Sequence, residues 1–411
     1  MRNLLLSFLF IFNLNISSAQ VADTAFSKPI KTKAYQLVPM PVIGLSPTSG
    51  FIIGAAASCT FKADKADASG TSMSNFLANA LLTTRNQKIF QIRGTTFFKN
   101  DDWVLPTDLR FNANKQPTYG LGTRQRYIET TYLNQTTRVS DNIINAPPEK
   151  EMMQFNHARL YQTALRRYKD SRLFVGMGYH LDAMWNIQDP YQNVDTNAPK
   201  LSYHQEYQLR HQLPLKAYAQ SGVSIDFVFD SRDNILNAYK GRFINTSFRY
   251  NPKWMGSTHT ATQVWLEYRD YFNLSASSPR HLIALWSYTW VVASGKVPYM
   301  LLPATGWDLF GRSGRPHTSG RFRGENLSYT ETEWRFPLPM FGDKFGGVAF
   351  VNASSASYSA GNVQLFDHFQ FGYGAGLRYM VNTKIRANIS LDYGRGVNGA
   401  SGFFLNINEM F

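Results

Sequence analysis

One stretch of the chain, residues 371–393, reads FGYGAGLRYMVNTKIRANISLDY and alternates apolar with polar or small residues over most of its length. In its first half Phe371 and Tyr373 fall on one face of an extended chain, while Gly372 and Arg378 fall on the other. Successive side chains of a β-strand point to opposite faces of the sheet. Each half of the stretch therefore predicts a strand with one apolar and one polar face.

The same period of two recurs along the chain past about residue 50, and no comparably clean helical stripe accompanies it. We predict an all-β protein with fifteen clear strands, near 51–62, 74–84, 87–98, 102–113, 155–168, 171–184, 220–231, 240–250, 259–271, 281–292, 327–336, 345–353, 371–381, 384–393 and 402–411. Bacterial single-chain barrels have even strand numbers, so about sixteen are expected and the missing one is placed within 201–215.

Three long connections, about 114–154, 185–219 and 293–326, interrupt the strands. In bacterial barrels long loops face outward and short turns face the periplasm. Counting from a first strand at 51–62 puts the connection 114–154 on the periplasmic side, which conflicts with that rule.

Composition favours one folded, exported unit. The 411 residues are 44% hydrophobic, 15% aromatic and only 17% charged, without a linker-like shift in composition. Residues 1–19 resemble a secretory signal peptide, because Arg2 precedes an apolar run from Leu4 to Phe12, and Ser17 and Ala19 supply the small residues of a cleavage site after Ala19. We expect residues 20–49 to be an N-terminal segment and residues 50–411 to be the barrel. The lone Cys59 excludes an intramolecular disulfide.

A soluble β-sandwich would show the same alternation, so membrane insertion rests on further features. The predicted strands are about ten residues long, and rings such as Trp286, Tyr288 and Trp290 gather near a strand end, as in the aromatic girdles of outer-membrane barrels. We predict a transmembrane antiparallel β-barrel in the bacterial outer membrane. The net charge of +14 is scattered, and export argues against nucleic acid, so anionic lipid headgroups or an anionic solute are the expected partners.

Several segments together resemble the BamA/TamA family of outer-membrane proteins, the bacterial surface-antigen barrels. They are a strand-turn motif with Asp230, Arg232, Asp233 and Gly241; a loop motif Arg321-Phe322-Arg323-Gly324; and a last strand ending on Phe411. The start, 41–54, also fits the family's first strand. The resemblance covers about residues 40 to 411 and implies a long loop folded into the lumen. It also makes Phe411 a C-terminal signal for the barrel assembly machinery that would insert this chain.

The resemblance implies a role for the loop arginine. In the family the arginine meets an acidic residue on a lumen-facing strand, and a guanidinium suits a carboxylate bidentately. Here Asn352 stands where an aspartate is expected, so Glu331 or Glu333 is a further candidate partner for Arg323. The alternative is an ordinary surface-loop arginine. For the Asp230 turn, a solvated charged turn and a specific lumen network are both open.

The family's periplasmic polypeptide-binding POTRA domains have no counterpart in the roughly thirty residues between Gln20 and the first predicted strand. We expect a barrel that acts in outer-membrane biogenesis, or in protein or lipid handling, through its seam and lumen loop. Periplasmic or outer-membrane partner proteins would assist it. The alternative is a porin-like, solute-conducting pore. No catalytic, metal-binding or cofactor motif stands out, so we expect no enzyme and no cofactor.

Overall fold

The computed structural model describes residues 35–63, 71–123, 130–132, 135–137, 150–190, 201–309, 311–383 and 386–411. The predicted signal peptide at 1–19 lies outside these residues. No helix in the described ranges is long and apolar enough to cross a membrane.

Sixteen strands close into one antiparallel barrel, which confirms the predicted fold class and strand number. In chain order they are β1 (Tyr35–Ser46), β2 (Gly50–Phe61), β3 (Ser74–Thr83), β4 (Lys88–Phe98), β5 (Trp103–Thr118), β8 (Glu151–Arg167), β9 (Leu173–Gln188), β10 (Tyr218–Asp230), β11 (Gly241–Asn251), β12 (Ala261–Asn273), β13 (Leu282–Gly295), β14 (Asn326–Pro337), β15 (Phe345–Ala356), β16 (Gln370–Asn382), β17 (Ala387–Gly396) and β18 (Ser401–Ile407).

Shorter elements lie in the connections. The strands β6 (Thr130–Tyr132) and β7 (Gln135–Thr137) pair with each other outside the barrel wall, and helix α1 spans Tyr203–Arg210. Single turns of 3-10 helix occur at Lys253–Met255, Tyr299–Leu301, Pro339–Phe341, Ser359–Gly361 and Val397–Gly399.

The alternation that predicted the strands also sorts their side chains. On β16, Phe371, Tyr373 and Leu377 are each more than half exposed, whereas Arg378 on the opposite face is buried. An apolar outer face and a polar inner face suit a barrel whose wall meets lipid. Closing the sheet also pairs the backbone groups of successive strands, which lipid cannot satisfy.

Two predictions about strand placement are wrong. The missing strand is β1, which begins at Tyr35, so the barrel starts before the predicted boundary at residue 50. Pro39 and Pro41 obscured it, since proline is uncommon within sheets. Residues 201–215 hold helix α1 instead, where Ser202 and Gln205 form a capping box at its start.

The extra first strand also resolves the conflict over loop sidedness. With β1 in place, the connections 119–150, 189–217 and 296–325 follow the fifth, seventh and eleventh strands of the barrel. Because all three are odd-numbered strands, the connections start from the same end of the barrel, here called the long-loop end. The connections 99–102, 168–172 and 383–386 lie at the opposite, short-turn end. The arrangement now agrees with the rule that long loops share the outward side.

The junction between β1 and β18, here called the seam, closes the barrel with one residue pair, Leu45 opposite Leu405. The neighbouring ladders are far longer, with twelve pairs between β1 and β2 and seven between β17 and β18. The seam is therefore the weakest junction in the wall.

Candidate functional site: the lumen loop and the seam

The connection 296–325 joins β13 to β14 and folds into the interior of the barrel. It is here called the lumen loop. Near its start, Tyr299 donates its backbone N–H to the side chain of Gln208 on α1 at 3.0 Å. Tyr207 of the same helix donates its hydroxyl to the carbonyl oxygen of Val297 at 3.1 Å. These residues join a buried apolar cluster with Met153 and other inward side chains, so helix and loop together fill the lumen near the long-loop end.

Deeper in the lumen, Arg315 of the loop is completely buried and binds carboxylates from two strands. Its Nη1 donates to Asp392 Oδ2 on β17 at 2.6 Å, and its Nη2 donates to both Glu331 and Glu333 on β14. Asn352 on β15 donates its amide to the carbonyl oxygen of Arg315 at 2.6 Å. A guanidinium suits such a set because its donors are fixed in one plane.

Two arginines of the wall extend this network to the end of the chain. Arg335 donates Nε to Glu333 at 2.7 Å and Nη2 to the carbonyl oxygen of Phe411 at 3.1 Å. Arg378 donates Nε to Glu409 Oε2 at 2.7 Å. The lumen loop, the strands β14 to β17 and the last residues are thus held by one buried set of charges.

The predicted partners of Arg323 are therefore wrong. Glu331 and Glu333 bind Arg315, eight residues before Arg323, and Asn352 supports the same arginine. An arginine of the loop does bind carboxylates of the lumen wall, but this arginine is Arg315 and not Arg323. Sequence spacing could not decide among the four arginines of this connection, because only the folded path of the loop selects the one that reaches the carboxylates of the wall.

Arg323 is fully buried in a different environment. Its Nη1 donates to the carbonyl oxygens of Tyr299, Met300 and Leu302 at 3.2, 2.9 and 3.1 Å, so it ties the end of the lumen loop to its beginning. Among the described residues no carboxylate binds it, and burial lowers the pKa of its guanidinium. Its role is to fold the loop upon itself.

The other residues of the loop motif pack around this turn. The Arg321 guanidinium lies 4.6 Å from the ring centre of Tyr119 on the other side of the lumen. Phe322 is buried in a second apolar cluster. Gly324 donates its N–H to the carbonyl oxygen of Pro303 at 3.0 Å, and a Cβ there would lie 2.4 Å from the carbonyl oxygen of Ser357. The glycine is required by this close approach.

The Asp230 motif organises the turn between β10 and β11. Arg232 donates to both carboxylate oxygens of Asp230 at 3.0 and 2.7 Å. Asp233 accepts from the guanidinium of Arg386 at 2.8 Å, which joins this turn to the turn between β16 and β17. Gly241 has φ +99, a conformation that other residues rarely adopt. The motif thus links two turns at the short-turn end and is not part of the Arg315 network.

A second buried polar cluster was not predicted. Asp182 on β9 accepts from His157 Nε2 at 2.9 Å and Arg159 Nε at 2.8 Å, both on β8, and also from the hydroxyl of Tyr161. Arg249 on β11 donates to that hydroxyl at 2.8 Å. The only sequence signal was polar residues at every second position of β8, which any water-filled lumen would also show.

The chain end also differs from expectation. The last strand ends at Ile407 rather than at residue 411, and residues 408–411, here called the C-terminal tail, turn into the lumen. Phe411 is 5% exposed, and its ring centre lies 5.4 Å from that of Trp286. In the folded barrel this residue is an internal packing group, and its expected part in assembly stays a prediction.

Within the described ranges, no three His, Cys, Asp or Glu side chains are grouped so that they could hold a metal ion. The features that stand out are a plugged lumen, a buried charge network and a weakly paired seam. Together they define a β-barrel of the outer-membrane type that one chain closes, with a loop folded into its lumen.

Comparison with known proteins gives the family. Residues 94–403 match the Omp85 superfamily domain, so the chain belongs to the Omp85 superfamily, whose members are outer-membrane barrels. This agrees with the BamA/TamA resemblance. No curated protein matches the sequence.

Two solved structures are similar in fold. The first is the crystal structure of BamA from Haemophilus ducreyi lacking POTRA domains 1–3, with 13% identity and a TM-score of 0.51, covering 92% of this chain and 70% of that one. The second is CdiB from Acinetobacter baumannii, with 12% identity and a TM-score of 0.51, covering 92% of this chain and 60% of that one. At these identities the likeness concerns the fold alone.

Proposed function

We propose that this barrel acts in outer-membrane biogenesis by handling lipid or protein at its seam, with the lumen loop holding the rest of the wall rigid. The observation that carries the proposal is the single residue pair that joins β1 to β18. From Gly44 back to Tyr35, a stretch here called the lower edge of β1, the strand has no ladder to β18. Outer-membrane lipids are the first expected partner, and a periplasmic or outer-membrane protein is the second.

The physical effect of such an edge follows from the cost of unpaired backbone groups. An unsatisfied N–H or C=O costs several kcal/mol in hydrocarbon, so water or lipid headgroups must approach the seam. The side chains flanking it are apolar and exposed, with Leu37 60%, Ile43 53% and Ile407 55% exposed. A polar backbone line within an apolar wall would locally disorder the bilayer and ease the passage of lipid headgroups.

The porin-like alternative is less well supported. An open aqueous channel would wet the polar groups of its wall, yet the side chains of Glu331, Glu333 and Asp392 are completely buried against Arg315 of the lumen loop. The expectation of a non-enzymatic protein is retained within the proposal, because seam-mediated handling of lipid requires no bond to be made or broken.

The test is lipid movement in vesicles. The purified barrel is reconstituted with fluorescent phosphatidylethanolamine, and bleaching by dithionite reports lipid that reaches the outer leaflet. We expect the protein to accelerate this movement. In a Cys59→Ser background, a disulfide between Ile43→Cys and Ile407→Cys should slow it several-fold, because an antiparallel register continued from the Leu45–Leu405 pair would place these two residues opposite each other. Reduction should restore it.

A matched control places the disulfide at a fully paired junction, with Val223→Cys and Tyr250→Cys between β10 and β11. This disulfide should leave lipid movement unchanged. Lipid movement no faster than in empty vesicles would contradict the lipid part of the proposal. A large steady conductance from the same vesicles would support the pore instead.

A further inference from the structure

The hydrogen-bonding direction of β1 can be read from its neighbours. On β2, the carbonyl oxygen of Phe51 accepts from the N–H of Thr84 at 3.0 Å, so the backbone polar groups of Phe51 point toward β3. Phe51 lies opposite Leu45 in the β1–β2 ladder, which has no register shift. In an antiparallel pair both residues bond to each other or both point away. The polar groups of Leu45 therefore point to the seam.

Every second residue of a strand shares this direction. Ile43, Pro41, Pro39 and Leu37 thus also present their backbone to the seam. Proline has no N–H, so two successive positions of this edge offer a carbonyl acceptor but no donor. Their placement leaves the β1–β2 ladder intact, because the missing N–H groups would have pointed away from β2.

The register of the seam shows which residues meet these prolines. Leu45 lies opposite Leu405, and an antiparallel ladder continued from there would place Glu409 opposite Pro41 and Phe411 opposite Pro39. Because proline has no N–H, each of these pairs would lack the hydrogen bond that β1 would donate to a carbonyl oxygen of the tail. The tail therefore has little to gain by extending β18 along the edge of β1.

The carbonyl oxygens of the chain end that would point toward β1 in such a ladder accept hydrogen bonds inside the lumen instead. Arg312 of the lumen loop donates Nη2 to the carbonyl oxygen of Ile407 at 3.2 Å and Nη1 to that of Glu409. Arg335 donates to the carbonyl oxygen of Phe411 at 3.1 Å. These are alternate residues, and they include the two that would have lain opposite the prolines. Arginine side chains thus supply the hydrogen-bond donors that the N–H groups of a paired first strand would otherwise supply.

We propose that Pro39 and Pro41, together with Arg312 and Arg335, keep the C-terminal tail out of the seam and leave the lower edge of β1 unable to pair with a regular strand. This inference rests on the proposed function and narrows it. An edge that cannot bond a strand along its length is unsuited to holding an incoming polypeptide, so the substrate class at this seam is lipid rather than protein.

The test asks whether the prolines alone prevent pairing. In a Cys59→Ser background, Met40→Cys and Met410→Cys lie opposite each other in the continued register. With both prolines present we expect less than a tenth of the folded protein to form this disulfide. Pro39→Val with Pro41→Val, which restores two donors on a residue suited to strands, should raise the yield at least fivefold. A Leu45→Cys/Leu405→Cys pair should form its disulfide in both backgrounds.

Capture of a foreign strand is tested with a peptide of residues 401–411 carrying Met410→Cys, added to the folded Met40→Cys barrel. We expect disulfide capture only when both prolines are replaced by valine. Gel mobility of unheated samples shows that each variant is folded, and Pro41→Val alone serves if the double variant is not. Equal disulfide yields with and without the prolines, in either experiment, would overturn the inference.

The lipid assay separates this inference from the proposed function. If the barrel moves no lipid, the proposed function fails, whereas the disulfide yields still decide the role of the prolines. If the barrel moves lipid and Pro39→Val/Pro41→Val slows it together with the new disulfide, both are supported. Undiminished lipid movement in a variant whose seam is shown to be paired would overturn the assignment of lipid to this edge.

Discussion

Replacing Arg315 by Met should destabilise the barrel more than any other single change in the lumen loop. The side chain is completely buried and serves three carboxylates. Glu333 would keep Arg335 at 2.6 Å, and Asp392 would keep Arg378. Glu331 would be left with hydrogen bonds from Tyr329 and Asn352 but no cation.

The magnitude follows from that count. Removing one partner of a buried ion pair costs about 3–5 kcal/mol, and the remaining arginines place this case at the lower end, at about 3 kcal/mol. The guanidinium also lies 3.8 Å from the ring centre of Phe350, and losing this cation–π contact adds about 1 kcal/mol. We expect a loss of about 4 kcal/mol, roughly a thousandfold in the unfolding equilibrium constant.

The assay is urea unfolding of the barrel in lipid–detergent micelles, followed by tryptophan fluorescence and by the mobility of unheated samples on gels. Arg323→Met is the matched control, because Arg323 is equally buried but binds only carbonyl oxygens. Its loss should cost less than about 2 kcal/mol, since an unpaired buried charge is removed with its hydrogen bonds.

A second control removes one stranded carboxylate together with the arginine. Arg315→Met with Glu331→Leu should recover about half of the lost stability, because an apolar pair can replace a buried ion pair at little net cost. If Arg323→Met costs as much as Arg315→Met, or if the double variant is no better than the single one, the assignment of Arg315 as the anchor of the loop is refuted.

Three further changes test other parts of the structure. Phe411→Ala should cost about 3 kcal/mol in the same unfolding assay, because it removes a buried ring from the lumen, whereas an unchanged midpoint would place the ring outside. Gly241→Ala should cost about 2 kcal/mol, since its φ is +99 and a Cβ would lie 2.2 Å from the carbonyl oxygen of Ser231; Gly399→Ala, with open space around it, controls for backbone strain alone. Burial lowers the pKa of His317 on the lumen loop to about 4, below its unfolded value near 6.5. The neutral ring therefore supports the full free energy of unfolding above pH 6.5, and stability is lost as the pH falls toward 4. His317→Phe should reduce that loss of stability by up to about 3 kcal/mol, and identical pH profiles of stability for both proteins would contradict this.

Much of the fold was predictable because strand periodicity is a local property. Phe371, Tyr373 and Arg378 reveal their faces from spacing alone, and the closed sixteen-strand barrel follows from such patterns with the even-number rule. The first strand escaped detection because Pro39 and Pro41 resemble a loop signal when their backbone direction is unknown. Those two prolines are tolerated because they face the seam, which only the register of β1 against β2 shows.

The site was less predictable because it depends on contacts between distant segments. The loop motif led to Arg323, yet the path of the lumen loop carries Arg315 to the carboxylates of β14 and β17. The placement of Phe411 inside the lumen likewise depends on Arg312 and Arg335, which lie about a hundred and about seventy-six residues earlier in the chain. A sequence pattern cannot rank such partners, since each is polar and correctly spaced.

The sequence by itself therefore determined the all-β class, the membrane-facing alternation of the strands and the presence of a long loop, because each of these depends on neighbours a few residues apart. Only the tertiary structure decided which arginine anchors that loop, where the chain end lies and how few pairs close the seam. Those outcomes depend on the register of strands brought together across the barrel and on the burial of charges that must find partners there.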